Sequence, residues 1–147
     1  MIKSINESEI NPRVSVIVMG IFNNKNTKRA ATTSGPGYIT INTGVTENGE
    51  VLHDDFHNLV NTLFHEDKHS SDGKGTNPFT HFEIGVEQSQ HPSFKNTTDN
   101  FKDFFKKVMQ SYLKAQERKI SNEKDETKRE QLTNQYEKNK TYFKNNF

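Results

Sequence analysis

One stretch decides how this sequence is interpreted: residues 63–69, which read LFHEDKH and contain the pattern His-Glu-x-x-His. On an α-helix, residues four apart lie on one face, so His65 and His69 can direct two imidazoles at one metal ion. Glu66 lies about 100° further round the helix than His65, where its carboxylate can reach a water molecule at that metal. The stretch therefore predicts a zinc hydrolase site in which Glu66 is the general base.

The pattern lies at the end of a predicted helix over residues 54–69. Apolar residues recur there at intervals of three and four and form one stripe: Phe56, Leu59, Val60, Leu63 and Phe64. At about 100° per residue, His65 and His69 lie almost opposite the centre of this stripe. Their side of the helix also carries three short polar residues, Asn58, Asn61 and Thr62. We therefore expect one face of the helix to pack on a core while the other face holds the metal.

A third metal ligand is expected from the segment that follows. Residues 70–77 are rich in turn formers, and a proline at position 78 suits the first turn of a second helix capped by Asn77. This segment offers four candidate ligands: His81, Glu83, Glu87 and His91. A carboxylate from a second helix is a common partner for two histidines on zinc, but the spacing alone leaves the choice open.

The N-terminal residues 1–53 are expected to form a small, mostly antiparallel sheet. Residues 14–22 are rich in β-branched side chains and give the best strand pattern, whereas residues 23–37 have the composition of a loop. Residues 38–43 alternate with a period of two, which predicts a second strand with one buried face. The expected fold class is α+β, a small zincin-like domain in which this sheet packs on the metal helix and further helices follow.

The second strand has two interpretations. Its apolar residues, Ile39 and Ile41, share the face expected to be buried, and the other face carries Tyr38, Thr40 and Asn42. It is either an ordinary sheet strand or an edge strand over the cleft, with which an extended substrate pairs its backbone. In the second interpretation Tyr38, Thr40 and Asn42 lie beside the substrate.

The C-terminal half is expected to be helical. Residues 78–118 contain the second and third helices, and the third has an unbroken apolar stripe: Phe101, Phe104, Phe105, Val108, Met109, Tyr112 and Leu113. This stripe predicts core packing against the metal helix. Residues 119–147 are dense in charged and amide side chains and read as a charged helix that lies over the domain.

The bulk composition limits the classes of function. The chain has 147 residues, which suits a single domain over residues 1–147. Its net charge is +1, so no overall field draws it to nucleic acid or to a membrane surface. It contains no Cys, so any metal must be held by histidine and carboxylate side chains. No segment reaches transmembrane length, and the first residues lack the apolar run of a signal peptide, which leaves the compartment in the producing cell unassigned.

Residues 62–102 resemble the zincin-type metallopeptidase domains at the C-terminal ends of bacterial polymorphic toxins, including Rhs-repeat proteins. The likeness rests on His65-Glu66-Asp67-Lys68-His69, His81-Phe82-Glu83, Gln88, His91-Pro92-Ser93-Phe94, Thr97 or Thr98, and Phe101-Lys102. The lysine-rich tail with Tyr136-Glu137 and Tyr142 is similar more loosely. The likeness covers about a third of the chain well.

The resemblance implies a ligand set and a biological setting. In domains of this kind an acidic residue stands at the position of Glu83, so Glu83 is implied as the third ligand to Zn²⁺, ahead of His81. His81 would then hydrogen-bond a ligand or stabilise the oxyanion. Glu87 and His91 are further alternatives for the third ligand or for one of these supporting roles. The resemblance also implies an exported toxin or effector that cleaves a protein or peptide in a target cell and has a cognate immunity protein.

The expected mechanism needs a donor to the developing oxyanion as well as a base. The sequence does not single out this donor, and its candidates are Tyr38, His81 and the side chains of Asn58 and Asn61. Two other functions are compatible with the sequence. One is a non-catalytic helical interaction module in which the His-Glu-x-x-His pattern is accidental, and the other is a zinc-dependent amidase acting on a non-protein substrate.

Overall fold

The computed structural model describes the chain in four ranges: residues 18–24, 29–35, 38–72 and 77–147. In these ranges five strands are followed by four α-helices, which confirms the predicted α+β class. The first predicted strand is described from Val18 onwards, and its earlier residues, 14–17, lie outside the described residues.

Three strands form a mixed sheet at the N-terminal end of the fold: β1 (Val18–Phe22), β2 (Ala31–Gly35) and β3 (Tyr38–Asn42). β3 is the central strand, because it pairs with β1 in parallel and with β2 antiparallel. A second, antiparallel pair consists of β4 (Thr46–Glu47) and β5 (Glu50–Val51). Two of the three strand pairs described are therefore antiparallel, as the sequence predicts for most of the sheet.

One prediction about this sheet is wrong, and of the two interpretations of the 38–43 strand the structure supports the ordinary sheet strand. β2 lies in a segment with the composition of a loop, and it forms a strand because β3 offers its backbone groups as hydrogen-bond partners. β3 is not an edge strand, because its backbone is paired on both sides, so Tyr38, Thr40 and Asn42 cannot receive a substrate strand. The outer strand on this side, among the described residues, is β2. The predicted alternation holds over residues 38–41, since Ile39 and Ile41 are buried, but Asn42 is buried as well.

Helix α1 (Phe56–Asp72) carries the His-Glu-x-x-His pattern and packs its apolar stripe on the sheet. The cluster between them consists of Ala31, Ile39, Ile41, Leu59, Val60 and Leu63. The first residue of the stripe, Phe56, lies at the margin and is 40% exposed. The core face predicted for this helix is therefore confirmed along its middle turns.

The polar face of α1 is buried as well, which the periodicity of the sequence does not predict. Asn58 and Asn61 are both 0% exposed. Asn58 donates through Nδ2 to the carbonyl of Leu52 at 2.8 Å, and its Oδ1 accepts the backbone N–H of Thr98 at 3.0 Å. Such bonds replace the water that would solvate an exposed amide. They tie the metal helix to chain segments on both sides of it in sequence.

Two further helices follow α1, and the first of them packs against it. Helix α2 (Pro78–Gln90) begins at the predicted cap, where Asn77 Oδ1 accepts the N–H of Phe79 at 3.2 Å. Helix α3 (Asp99–Asn122) is capped by Thr98. Its apolar stripe is buried, since Phe101, Phe104, Phe105, Met109 and Leu113 are each 9% exposed or less. It packs mainly on α2 and on the C-terminal helix, however, and not on the metal helix as predicted. A 3₁₀ turn over residues 92–96 connects the two helices and packs on α1.

The charged C-terminal segment forms helix α4 (Glu126–Asn146), which lies against α2 and α3. Tyr136 is its buried residue, and the hydroxyl of Tyr142 lies 3.2 Å from Ser89 Oγ on α2. None of the helices in the described ranges has the length and the apolar composition needed to cross a membrane.

Candidate metal centre

Three imidazoles converge where α1 meets α2. His65 and His69 lie on successive turns of α1, and His81 belongs to the first turns of α2. The Nε2 atoms of His65 and His69 are 3.1 Å apart, and the ring centroids of His69 and His81 are 4.3 Å apart. One ring nitrogen from each of the three histidines lies within 4.8 Å of the others. In the described part of the chain, these three are the residues grouped closely enough to hold a metal ion.

The chemistry of the three nitrogens, and the spacing of two of them, fit zinc. Zn–N bonds of 2.0–2.1 Å at tetrahedral angles put two ligand nitrogens about 3.3 Å apart, close to the 3.1 Å between His65 and His69. Burial, and then the neighbouring His69, lowers the pKa of His65 to about 3, so this imidazole is neutral at physiological pH. Burial also lowers the pKa of His81. Neutral imidazole is the form that binds a metal ion, and three such ligands leave one tetrahedral position open.

Two of the histidines have an oxygen acceptor beside Nδ1. His65 Nδ1 lies 2.8 Å from Gln88 Oε1, and His81 Nδ1 lies 3.2 Å from the carbonyl of Asn77. A backbone carbonyl can only accept, so Nδ1 of His81 is the protonated nitrogen. Its Nε2 therefore carries the lone pair that a metal needs.

Glu66 lies beside this cluster in a buried position. It is 8% exposed, and its Oε2 accepts a hydrogen bond of 2.8 Å from Thr33 Oγ1 on β2. The same hydroxyl lies 2.9 Å from the backbone carbonyl of Glu66. Burial raises the pKa of the Glu66 carboxyl, while Thr33 and His69 act in the opposite direction. A carboxylate with a raised pKa is a better proton acceptor than an exposed one.

Tyr112 of α3 is a site residue that the sequence reasoning placed only in the apolar stripe. Its ring centroid is 5.1 Å from that of His81, and the residue lines a cavity together with His65 and Glu66. Burial, together with the nearby Glu66 carboxylate, raises the pKa of the phenol above its ordinary value, so it remains a hydrogen-bond donor. The signal in the sequence was a hydroxyl-bearing residue within an otherwise apolar stripe.

The cavity beside His65 and Glu66 has a volume of about 120 Å³. Its polar wall comes mainly from α1. The remaining wall is formed largely by apolar residues before and in β2 and on α3: Ala30, Ala31, Phe101, Phe104, Phe105 and Val108. Arg29 lies at this wall as well. The cavity thus joins the candidate catalytic groups to an apolar surface.

The other candidate ligands are engaged elsewhere. Glu83, the ligand that the resemblance favours, is exposed and accepts a bond of 2.7 Å from Gln135 on α4. Positions 81 and 83 differ by about 200° around a helix, so α2 directs His81 towards α1 and Glu83 away from it. Glu87 pairs with Lys68 at 2.6 Å. His91 bonds Ser93 Oγ at 2.8 Å through Nδ1. The geometry therefore brings His81, and not Glu83, to His65 and His69.

The residues considered as oxyanion donors are exposed, bonded elsewhere or part of the imidazole cluster. Tyr38 is 57% exposed on the sheet. The amides of Asn58 and Asn61 are buried and bonded to the chain around α1. His81 belongs to the imidazole cluster itself. Tyr112 carries a hydroxyl group and lines the cavity together with Glu66 and His65.

The chain belongs to a family of metallopeptidase toxins: residues 6–146 match the family described as metallopeptidase toxin 2. This match covers nearly the whole chain and confirms the resemblance found in residues 62–102. No match was found among the curated proteins or among the solved structures. Membership of the family implies a metal-dependent peptidase and a protein substrate.

Proposed function

We propose that this domain is a zinc-dependent peptidase whose metal is held by His65, His69 and His81, with Glu66 as the general base. One observation carries the proposal: three imidazole nitrogens lie within 4.8 Å of one another, next to a buried carboxylate that shares a cavity with His65. Imidazole nitrogen is a donor that zinc prefers, and the 3.1 Å between His65 and His69 suits a tetrahedral site. Membership of the family favours a peptidase over a non-catalytic interaction module.

The chemistry divides between the ion and the side chains. A zinc ion at this position would supply Lewis acidity, which lowers the pKa of a water molecule to about 7 and polarises a carbonyl oxygen. Glu66 accepts the proton of the attacking water and returns it to the leaving amine. The Thr33 hydroxyl orients the Glu66 carboxylate through Oε2. The phenol of Tyr112 donates a hydrogen bond to the oxygen on which negative charge develops.

The cavity suggests which substrates suit the site. Its apolar wall, formed largely by α3, lies next to Glu66 and His65. An apolar side chain of the substrate that enters this cavity gains the free energy of burial, about 25 cal/mol per Å² of apolar surface. We therefore expect cleavage next to an apolar residue in an accessible segment of a protein.

The proposal also covers the biological setting. The family consists of metallopeptidase toxins, which supports export from the producing cell and action on a protein of a target cell. A producing cell that makes an active peptidase needs protection from it. A cognate immunity protein that blocks the cavity at Glu66 and His65 is therefore part of the proposal.

The experiment that tests the proposal compares the wild type with Glu66→Gln on an unbiased peptide library. Glutamine keeps the shape of the side chain and its bond with Thr33 but cannot take up a proton. We expect stoichiometric zinc in both proteins, and a fall in kcat of about 10²- to 10⁴-fold in the variant. Glu83→Gln is the matched control, since Glu83 is exposed and faces α4. Full activity of Glu66→Gln would show that the assigned base is wrong.

A further inference from the structure

A closed network of buried amides lies directly behind His65. Gln88 of α2 and Asn61 of α1 are 5% and 0% exposed. Gln88 Nε2 lies 2.9 Å from Asn61 Oδ1 and 3.3 Å from the Asn61 carbonyl. Asn61 Nδ2 lies 3.2 Å from the Gln88 carbonyl and 2.9 Å from Ser93 Oγ. The remaining amide atom, Gln88 Oε1, lies 2.8 Å from His65 Nδ1.

The two backbone carbonyls in this network fix the direction of every bond. A carbonyl only accepts hydrogen bonds, so the side-chain atoms that face the carbonyls of Asn61 and Gln88 must be the NH₂ groups. Gln88 Oε1 therefore has to face His65, and it can only accept. The proton between them belongs to Nδ1 of His65. The lone pair of this imidazole is thus on Nε2, which points to His69 at 3.1 Å.

We propose that Gln88, held in place by Asn61, is a positioning residue that fixes His65 in the tautomer and ring orientation that bind the metal. The proposal rests on the zinc site described above. Acceptors behind metal-bound histidines are often carboxylates, which raise the basicity of the ligand. Here the acceptor is a neutral amide, so it orients His65 without adding negative charge beside the metal.

The network also joins α1 to α2, so Gln88 could act on stability alone. The two roles predict different results for a variant that folds. If the role of Gln88 is purely structural, the variant has a lower melting temperature without metal and an unchanged zinc affinity. If Gln88 positions His65, the variant has a lower zinc affinity, because the His65 imidazole without its acceptor is free to rotate and to exchange its tautomers.

The test compares Gln88→Met, which has similar length and no acceptor, with Gln88→Glu, which keeps an acceptor for Nδ1. Zinc affinity is measured by competition with a chromophoric chelator. We expect a 10- to 100-fold rise in Kd for Gln88→Met. For Gln88→Glu we expect a Kd within a few-fold of the wild type and a lower melting temperature, since one carboxylate oxygen then faces the acceptors of Asn61. Ser93→Ala is the matched control, because it breaks the network one residue further away and should leave the Kd unchanged.

A second measurement does not depend on any variant. In zinc-loaded wild type labelled with ¹⁵N-histidine, we expect the Nδ1 proton of His65 to be observed and protected from exchange. An unprotonated Nδ1, or an unchanged Kd in Gln88→Met, would overturn the inference while leaving the zinc site intact. Failure of the wild type to bind zinc would overturn the proposed metal centre and this inference together.

Discussion

Replacing His81 with alanine separates the ligand set found in the structure from the one implied by the resemblance. Four-ligand zinc sites bind with about 10–16 kcal/mol at neutral pH, which is about 2.5–4 kcal/mol for each protein ligand. Loss of a binding free energy of this size corresponds to roughly a 100- to 1,000-fold change in Kd. We therefore expect His81→Ala to weaken zinc binding by about this factor, whereas Glu83→Ala should bind zinc like the wild type.

The same change has a measurable effect on stability. A zinc concentration about 1,000 times the wild-type Kd stabilises the folded wild type by about 4.1 kcal/mol through mass action. For a variant with a 100-fold higher Kd, the same concentration gives about 1.4 kcal/mol. Zinc should thus protect His81→Ala from unfolding much less than it protects the wild type or Glu83→Ala.

Two assays measure these effects: chelator competition for the Kd, and urea unfolding with and without zinc for the stability. Glu83 is two residues away on the same helix and is exposed, so it controls for changes to α2 itself. Weak zinc binding by Glu83→Ala together with normal binding by His81→Ala would refute the assignment of the third ligand. It would also mean that α2 turns about its axis when metal binds.

Further predictions concern Tyr112 and His53. Tyr112→Phe removes only the hydroxyl and is expected to lower kcat by about 10²- to 10³-fold, as loss of one oxyanion donor does in other enzymes. Its zinc affinity, measured by chelator competition, should equal that of the wild type. A normal kcat would show that Tyr112 has no part in the mechanism. Burial lowers the pKa of His53, so the unfolded chain takes up its proton first and the metal-free protein loses stability as pH falls below about 6.5. This residue contributes at most about 1.4 kcal/mol per pH unit to the slope of the unfolding free energy against pH. Urea unfolding with chelator present should therefore show a smaller loss of stability per pH unit in His53→Gln than in the wild type. Equal slopes in the two proteins would contradict the reasoning.

Local patterns in the sequence were sufficient for the metal helix and its two histidines. The interval of four residues and the apolar stripe are both properties of one helix, so they do not depend on the rest of the fold. The cap at Asn77 and the apolar stripe of α3 are local in the same sense, and the structure confirms both. The α+β class followed from the order of these elements.

The rest of the site depends on contacts that no single element contains. Whether His81 or Glu83 faces α1 is set by the rotation of α2 about its own axis, which the packing of α2 on its neighbours decides. β2 becomes a strand through pairing with β3, although its own composition suggests a loop. Tyr112 of α3 lines the cavity together with His65 and Glu66 of α1, and its position in an apolar stripe concealed this.

The buried polar face of α1 has a consequence for the order in which the molecule can be assembled. Asn58 and Asn61 bond Thr98, Gln88 and Ser93, which follow them in sequence, whereas Leu52, the other partner of Asn58, precedes it. In a chain that is synthesised from its N-terminus, α1 is therefore present before most of the residues that bond its polar face. His81 and Tyr112 also come later. The imidazole cluster and Tyr112 come together only once α2 and α3 are in place, so we expect a chain that ends before α3 to have no peptidase activity.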